Sequence, residues 1–90
     1  MTQSADITTA SVSDAIIEFV LENFPSTYDR QSLPTEESLI ELGVLDSYGV
    51  VELVSFLEEN WAITIADSDI TRDKMGSITK MASLVLEKRT

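Results

Sequence analysis

The chain has 90 residues, 43% of them hydrophobic, a formal net charge of -10, and neither cysteine nor histidine. That excludes disulfides, thiolate metal sites and Ser-His-Asp or Cys-His catalysis, and leaves any serine without its usual base. Nucleic acid is a poor partner for a chain this acidic, because phosphate binding requires clustered Lys and Arg.

Residues 1–10 are small and polar without a sustained period, and read as a disordered leader before one domain spanning 11–90. MTQSADITTASVSD has no basic region and no long apolar run, so neither a signal peptide nor membrane insertion is expected, and the location expected is cytoplasmic. From Val12, the residues Ala15, Ile16, Phe19, Val20 and Phe24 recur at helical spacing, with Ser11 or Ser13 as candidate cap and Pro25 as the stop. PSTYDRQSLPTEE then reads as a long loop, SLIEL as one helical turn, and Tyr28, Leu33, Leu39 and Leu42 as the residues that pack this connection.

A second helix is predicted from Asp46 or Ser47 to about Asn60. Val50, Val51, Leu53, Val54, Phe56 and Leu57 form its apolar stripe, with Val54 expected to be buried; Glu52, Ser55, Glu58 and Glu59 fall outside the stripe. Trp61 is expected to close the core, and ITI to be an extended connector, since a lone strand has nothing to pair with. DSDITRDKMGS supports at most one short helix. Its alternating acids resemble a calcium loop, but Arg72 and Ile78 stand where such a loop needs glycine and a bidentate glutamate, so no metal site is assigned. A last helix carries Ile78, Met81, Ala82, Val85 and Leu86, with Ser77 as cap and Lys88 and Arg89 at its negative end; Met75 and Met81 read as packing. The fold class is therefore all-α, a four-helix bundle of three main helices and one short one.

Charge is segregated along the chain. No Lys or Arg occurs from Gln31 to Thr71, whereas Glu36, Glu37, Glu41, Asp46, Glu52, Glu58, Glu59, Asp67 and Asp69 all fall there. An acidic surface keeps a small domain in solution, but this one-sidedness also suits a basic partner.

GVLDSYGVVELV, residues 43–54, places two capping residues side by side where one suffices. Either Asp46 or Ser47 caps the second helix, or Ser47 is an exposed hydroxyl at a helix start whose dipole favours a phosphate on its oxygen. GVLDSYGVVELVSFLEENW resembles the phosphopantetheine attachment segment of the acyl carrier protein superfamily, in which an Asp-Ser pair precedes an acidic amphipathic helix. The likeness extends over nearly the whole chain after the leader. Tyr48 replaces the usual Leu after the serine, and Gly49 stands where fatty-acid carriers commonly have an acidic residue. This Ser-bulky-Gly order is similar to D-alanyl carriers and related stand-alone aminoacyl or acyl carriers.

The resemblance implies a non-catalytic, acyl-carrier-protein-like monomer with 4'-phosphopantetheine, taken from coenzyme A, on Ser47. Asp46 would support the modification, and Tyr48, Glu52, Glu58 and Glu59 would contact partners. Those partners would be a phosphopantetheinyl transferase, an adenylate-forming ligase or acyltransferase, and a downstream synthase or transferase in a biosynthetic pathway. The rival class is an unmodified acidic helical protein–protein interaction module in which Ser47 merely caps.

Overall fold

A computed structural model describes residues 8–24 and 26–89. The helices are α1 (Thr9–Asn23), α2 (Ser47–Trp61), α3 (Arg72–Met75) and α4 (Ile78–Arg89), and a 3-10 turn, Asp67–Asp69, precedes α3. The described residues contain no strand, in agreement with the expected helical bundle. None of the helices is long and apolar enough to cross a membrane.

α1 starts earlier than its apolar period suggests. Thr8 is the cap: its hydroxyl accepts the Ser11 amide at 3.0 Å, and the Ser11 hydroxyl accepts the Thr8 amide at 3.1 Å. Neither Ser11 nor Ser13 is therefore the cap; Ser11 supplies the reciprocal half of a capping box. Residues 8–10 of the expected leader thus belong to the cap and first turn, while residues 1–7 and the proposed stop, Pro25, lie outside the described residues.

The core is built where three apolar stripes meet. Val12, Ile16 and Val20 of α1, Leu53 and Leu57 of α2, and Ile78, Met81 and Val85 of α4 are essentially inaccessible. α1 and α4 share the most extensive interface. Ile17 and Leu84, outside the expected stripes, are buried as well. The long 26–45 connection packs against the bundle through Leu33, Leu39, Val44 and Leu45, with Tyr28 and Leu42 half-buried. It is also pinned to α4: the Thr79 amide donates to the Thr35 carbonyl at 3.0 Å, and the Thr79 hydroxyl to Glu36 at 2.9 Å. SLIEL closes one helical turn, Leu42 N–H to Ser38 carbonyl, and Gly43 (φ +80°) then reverses the chain in the left-handed region that glycine tolerates.

The α2 stripe divides on folding. Leu53 and Leu57 are core, Val50, Val54 and Phe56 are half-buried, and Val51 is 62% exposed. Val54 is thus not the buried anchor its spacing suggests. Phe56 stacks on Phe19 with ring centroids 4.2 Å apart, and Trp61 meets Phe56 edge-on, closing that side of the bundle while staying half-buried itself.

ITI is an unpaired extended connector, as expected, but DSDITRDKMGS forms two short turns where one was predicted. They are organised by Asp69, 4% exposed, whose carboxylate accepts Lys88 Nζ at 2.7 Å, Lys74 Nζ at 3.1 Å and the Ala66 amide at 3.0 Å. The Lys88 hydrogen bond is the foremost cause, ahead of the Ala66 amide and Lys74, that holds this carboxyl well below the usual carboxylate range. A depressed folded pKa contributes stability that is complete above the unfolded value of about 3.9 and is lost as pH falls below it. Asp69→Asn should therefore melt lower than wild type by a constant margin between about pH 5 and 8, and the margin should shrink below about pH 4. A margin independent of pH down to the acid limit would show that the charge of Asp69 contributes nothing. Ser77 caps α4 by accepting the Lys80 amide at 3.1 Å, as its position predicts.

Candidate functional site

The start of α2 settles which of the two adjacent residues caps it. Asp46 is the N-cap, in extended conformation, and its Oδ1 accepts the Gly49 amide at 2.8 Å. Ser47 is the first helical residue and is exposed, and no hydrogen bond from another described residue reaches its hydroxyl. The two candidate roles of the pair are thereby separated: Asp46 satisfies the backbone and Ser47 Oγ faces solvent at the positive end of a 15-residue helix.

Gly49, one turn into α2, is buried. A Cβ there would lie 3.0 Å from Phe24 Cε1 and 3.1 Å from Leu45 Cδ2. The missing side chain lets the Phe24 ring and Leu45 close against the first turn, so the departure from the acidic residue of fatty-acid carriers has a packing reason. Tyr48, its chain neighbour, is 72% exposed.

Beside Ser47 runs a groove of about 510 Å³, lined on the α2 side by Val50, Val51 and Val54 and on the facing side by Ile40, Ile65 and Ile70. Of these, Val51, Ile40 and Ile70 are exposed and line the groove together with Ser47, and Tyr48, next to the serine in the chain, is exposed as well. Sequence reasoning missed this surface, although helical geometry held a clue: Val51 stands about 200° around the axis from Leu53, so both cannot face the core. Beneath α2, by contrast, a space of about 30 Å³ lies among Leu39, Leu45, Val50, Leu53, Met75 and Met81, room for a water or two.

The acidic residues of α2 do not act as one row. Glu52 and Glu59 are exposed, as their positions predict. Glu58 is half-buried at the far end of the groove, where its Oε2 accepts the Ile65 amide at 2.8 Å and ties α2 to the connector.

A small helical bundle that presents an unengaged serine beside its capping aspartate, flanked by an apolar groove and outlying carboxylates, has the architecture of a carrier protein. No protein-family model matches the chain. Curated relatives do: the D-alanyl carrier proteins of Streptococcus pyogenes serotypes M5 (strain Manfredo), M49 (strain NZ131) and M1 are each 36% identical over 74 residues, covering 81% of this chain and 94% of the relative. The chain belongs to the acyl carrier protein superfamily and is a carrier protein similar to these D-alanyl carriers.

Proposed function

We propose that Ser47 bears a 4'-phosphopantetheine arm and that the protein shuttles an acyl or aminoacyl group between partner enzymes. The observation that carries this reading is the division of labour at α2, where Asp46 caps and Ser47 stays exposed and unengaged. In the modification, a phosphopantetheinyl transferase directs Ser47 Oγ onto the β-phosphorus of coenzyme A. The Oγ–P bond forms, the pyrophosphate P–O bond breaks, adenosine 3',5'-bisphosphate leaves, and the hydroxyl proton passes to the transferase. When bound, the arm supplies a terminal thiol that holds the cargo as a thioester. The residues present fit it: the positive end of α2 favours the phosphodiester, and Asp46 lies beside it, exposed, to help the transferase engage the hydroxyl.

The relatives' name points to D-alanine as cargo; in this reading an adenylate-forming ligase or an acyltransferase loads the arm, and a downstream synthase or transferase receives the cargo. The space of about 30 Å³ beneath α2 supports a small cargo that remains outside the bundle. Incubation with coenzyme A, magnesium and a broad-specificity transferase should add one arm per chain by intact mass, and peptide mapping should place it on Ser47. No addition, or an arm on another serine, would refute the assignment.

Glu52, Glu59 and Tyr48 supply the partner contacts in this reading, with Glu58 at their edge. Complementary charge raises encounter rates by roughly 10- to 1000-fold, and salt screens it over about 8 Å at physiological strength. Glu52→Lys should slow arm transfer at low salt, while shifting stability by under about 0.5 kcal/mol, because the side chain is exposed. Added salt should slow wild type more than the variant and narrow the gap. Equal rates at low salt would remove Glu52 from recognition. Glu58→Lys is a poorer test, since it also breaks the bond to Ile65.

A further inference from the structure

One wall of the groove beside Ser47 is made of irregular chain, tied to α2 at Ile65 by the Glu58 carboxylate but with little to hold it further on. Ile65, Asp67 and Ile70 come from a segment without strand pairing, whose backbone bonds at Asp69, Ile70 and Thr71 reach only two or three residues back. Ile63 and Ile65 anchor its first half in the core. The second half is held from behind. The carboxylate of Asp69 is turned away from the groove, accepting Lys88 Nζ at 2.7 Å from the last turn of α4 and Lys74 Nζ at 3.1 Å from α3, while its Oδ2 also takes the Ala66 amide at 3.0 Å. The same turn of α4 reaches the other end of the connector, where Arg89 Nη1 donates to the Trp61 carbonyl at 2.8 Å. Neither Asp69 nor Lys88 lines the groove, yet Asp67 and Ile70, which do, flank Asp69 in the chain.

We propose that the C-terminal turn of α4 positions the Ser47 site from a distance: Lys88, acting through Asp69, holds the 65–70 wall in the register that a docking enzyme meets. Asp69 and Lys88 are positioning residues in this scheme, and the proposal rests on the reading of Ser47 as the arm's attachment point. The arrangement suits such a role better than a surface ion pair does. Exposed pairs contribute little because water competes for both partners, whereas Asp69 is 4% exposed and its two lysines come from different helices. Loss of one lysine leaves a buried carboxylate with fewer partners, and the cheapest relief is for the short 3-10 turn to swing outward, carrying Asp67 and Ile70 with it.

The test compares arm transfer from coenzyme A by a phosphopantetheinyl transferase at varied carrier concentration, using the full chain with Lys88→Met, Asp69→Asn, Lys88→Arg, and Val12→Ala as a core control. Val12 lies on α1 and is not among the residues that line the groove, and its truncation lowers stability through the core rather than through the Lys88–Asp69 link. Lys88→Met and Asp69→Asn should raise KM for the carrier about two- to thirtyfold, the range that coupling between packed elements supplies, with kcat nearly unchanged. Lys88→Arg should restore the wild-type KM, and Val12→Ala should keep it despite a lower melting temperature. Amide hydrogen exchange at Ile65, Ala66 and Ile70 should quicken in Lys88→Met at a temperature where α1 stays protected. Folded Lys88→Met with wild-type KM, or a control that raises KM equally, would overturn the proposal. If wild type itself accepts no arm, the Ser47 reading fails, and the amide exchange alone decides whether the wall is held from α4: unchanged exchange at these three residues would refute that as well.

Discussion

Ser47→Ala is expected to accept no arm from coenzyme A while keeping the wild-type fold. Loading should fall to zero because no other described serine combines exposure, freedom from capping and the positive end of a long helix. The hydroxyls of Ser11 and Ser77, by contrast, are committed to backbone amides at helix starts, Ser11 to that of Thr8 and Ser77 to that of Lys80. The change in stability should not exceed about 1 kcal/mol, since the cap is Asp46, whose bond to the Gly49 amide survives the substitution. Denaturant melts read the fold, and intact mass reads the loading. An arm on Ser47→Ala would place the attachment elsewhere. A substitution that unfolds the protein would instead favour the interaction-module reading, in which the serine serves the helix.

Leu57→Ala should destabilise the protein by about 2–5 kcal/mol, the cost of deleting a large core side chain and leaving a cavity. Leu57 is fully inaccessible, facing the α1 and α4 stripes, and a domain of this size has only about 5–15 kcal/mol in total to lose. Val51→Ala, only six residues earlier on the same helix, should stay within about 0.5 kcal/mol, because Val51 is 62% exposed. The pair therefore tests the division of the α2 stripe into a core side and a groove side. Urea midpoints that fall equally for both variants would show that the stripe is buried as a whole. On the same logic Val51→Ala should disturb partner contacts before it disturbs folding.

Much of this protein is written locally. Apolar residues three and four apart mark α1, α2 and α4, and the turn chemistry of Gly43 and Ser77 marks where the chain reverses or restarts. The adjacent Asp46 and Ser47 mark the start of α2 and with it the candidate site, because these features depend on backbone geometry within a few residues. The stretch without basic residues was equally visible, as was the likeness to carrier proteins. Even locally there were limits: Thr8 outcompeted Ser11 as a cap because the capping box is satisfied only when both side chains reach each other's amides.

What folding alone decided is how surfaces separated by sequence were brought together. A stripe as broad as that of α2 is compatible with several orientations, and the packing of α1 and α4 chose the one that buries Leu53 and Leu57 and leaves Val51 beside Ser47. Gly49 gained its meaning from the Phe24 ring, 25 residues earlier, and Glu58 was drawn from the outer face to the Ile65 amide. Asp69, one acid among many in its stretch, became the buried partner of Lys88, 19 residues on. Such contacts have no period to betray them. They arise because a buried backbone amide or carboxylate must find a partner among whatever groups the assembled helices place within reach, and that set exists only once the helices have packed.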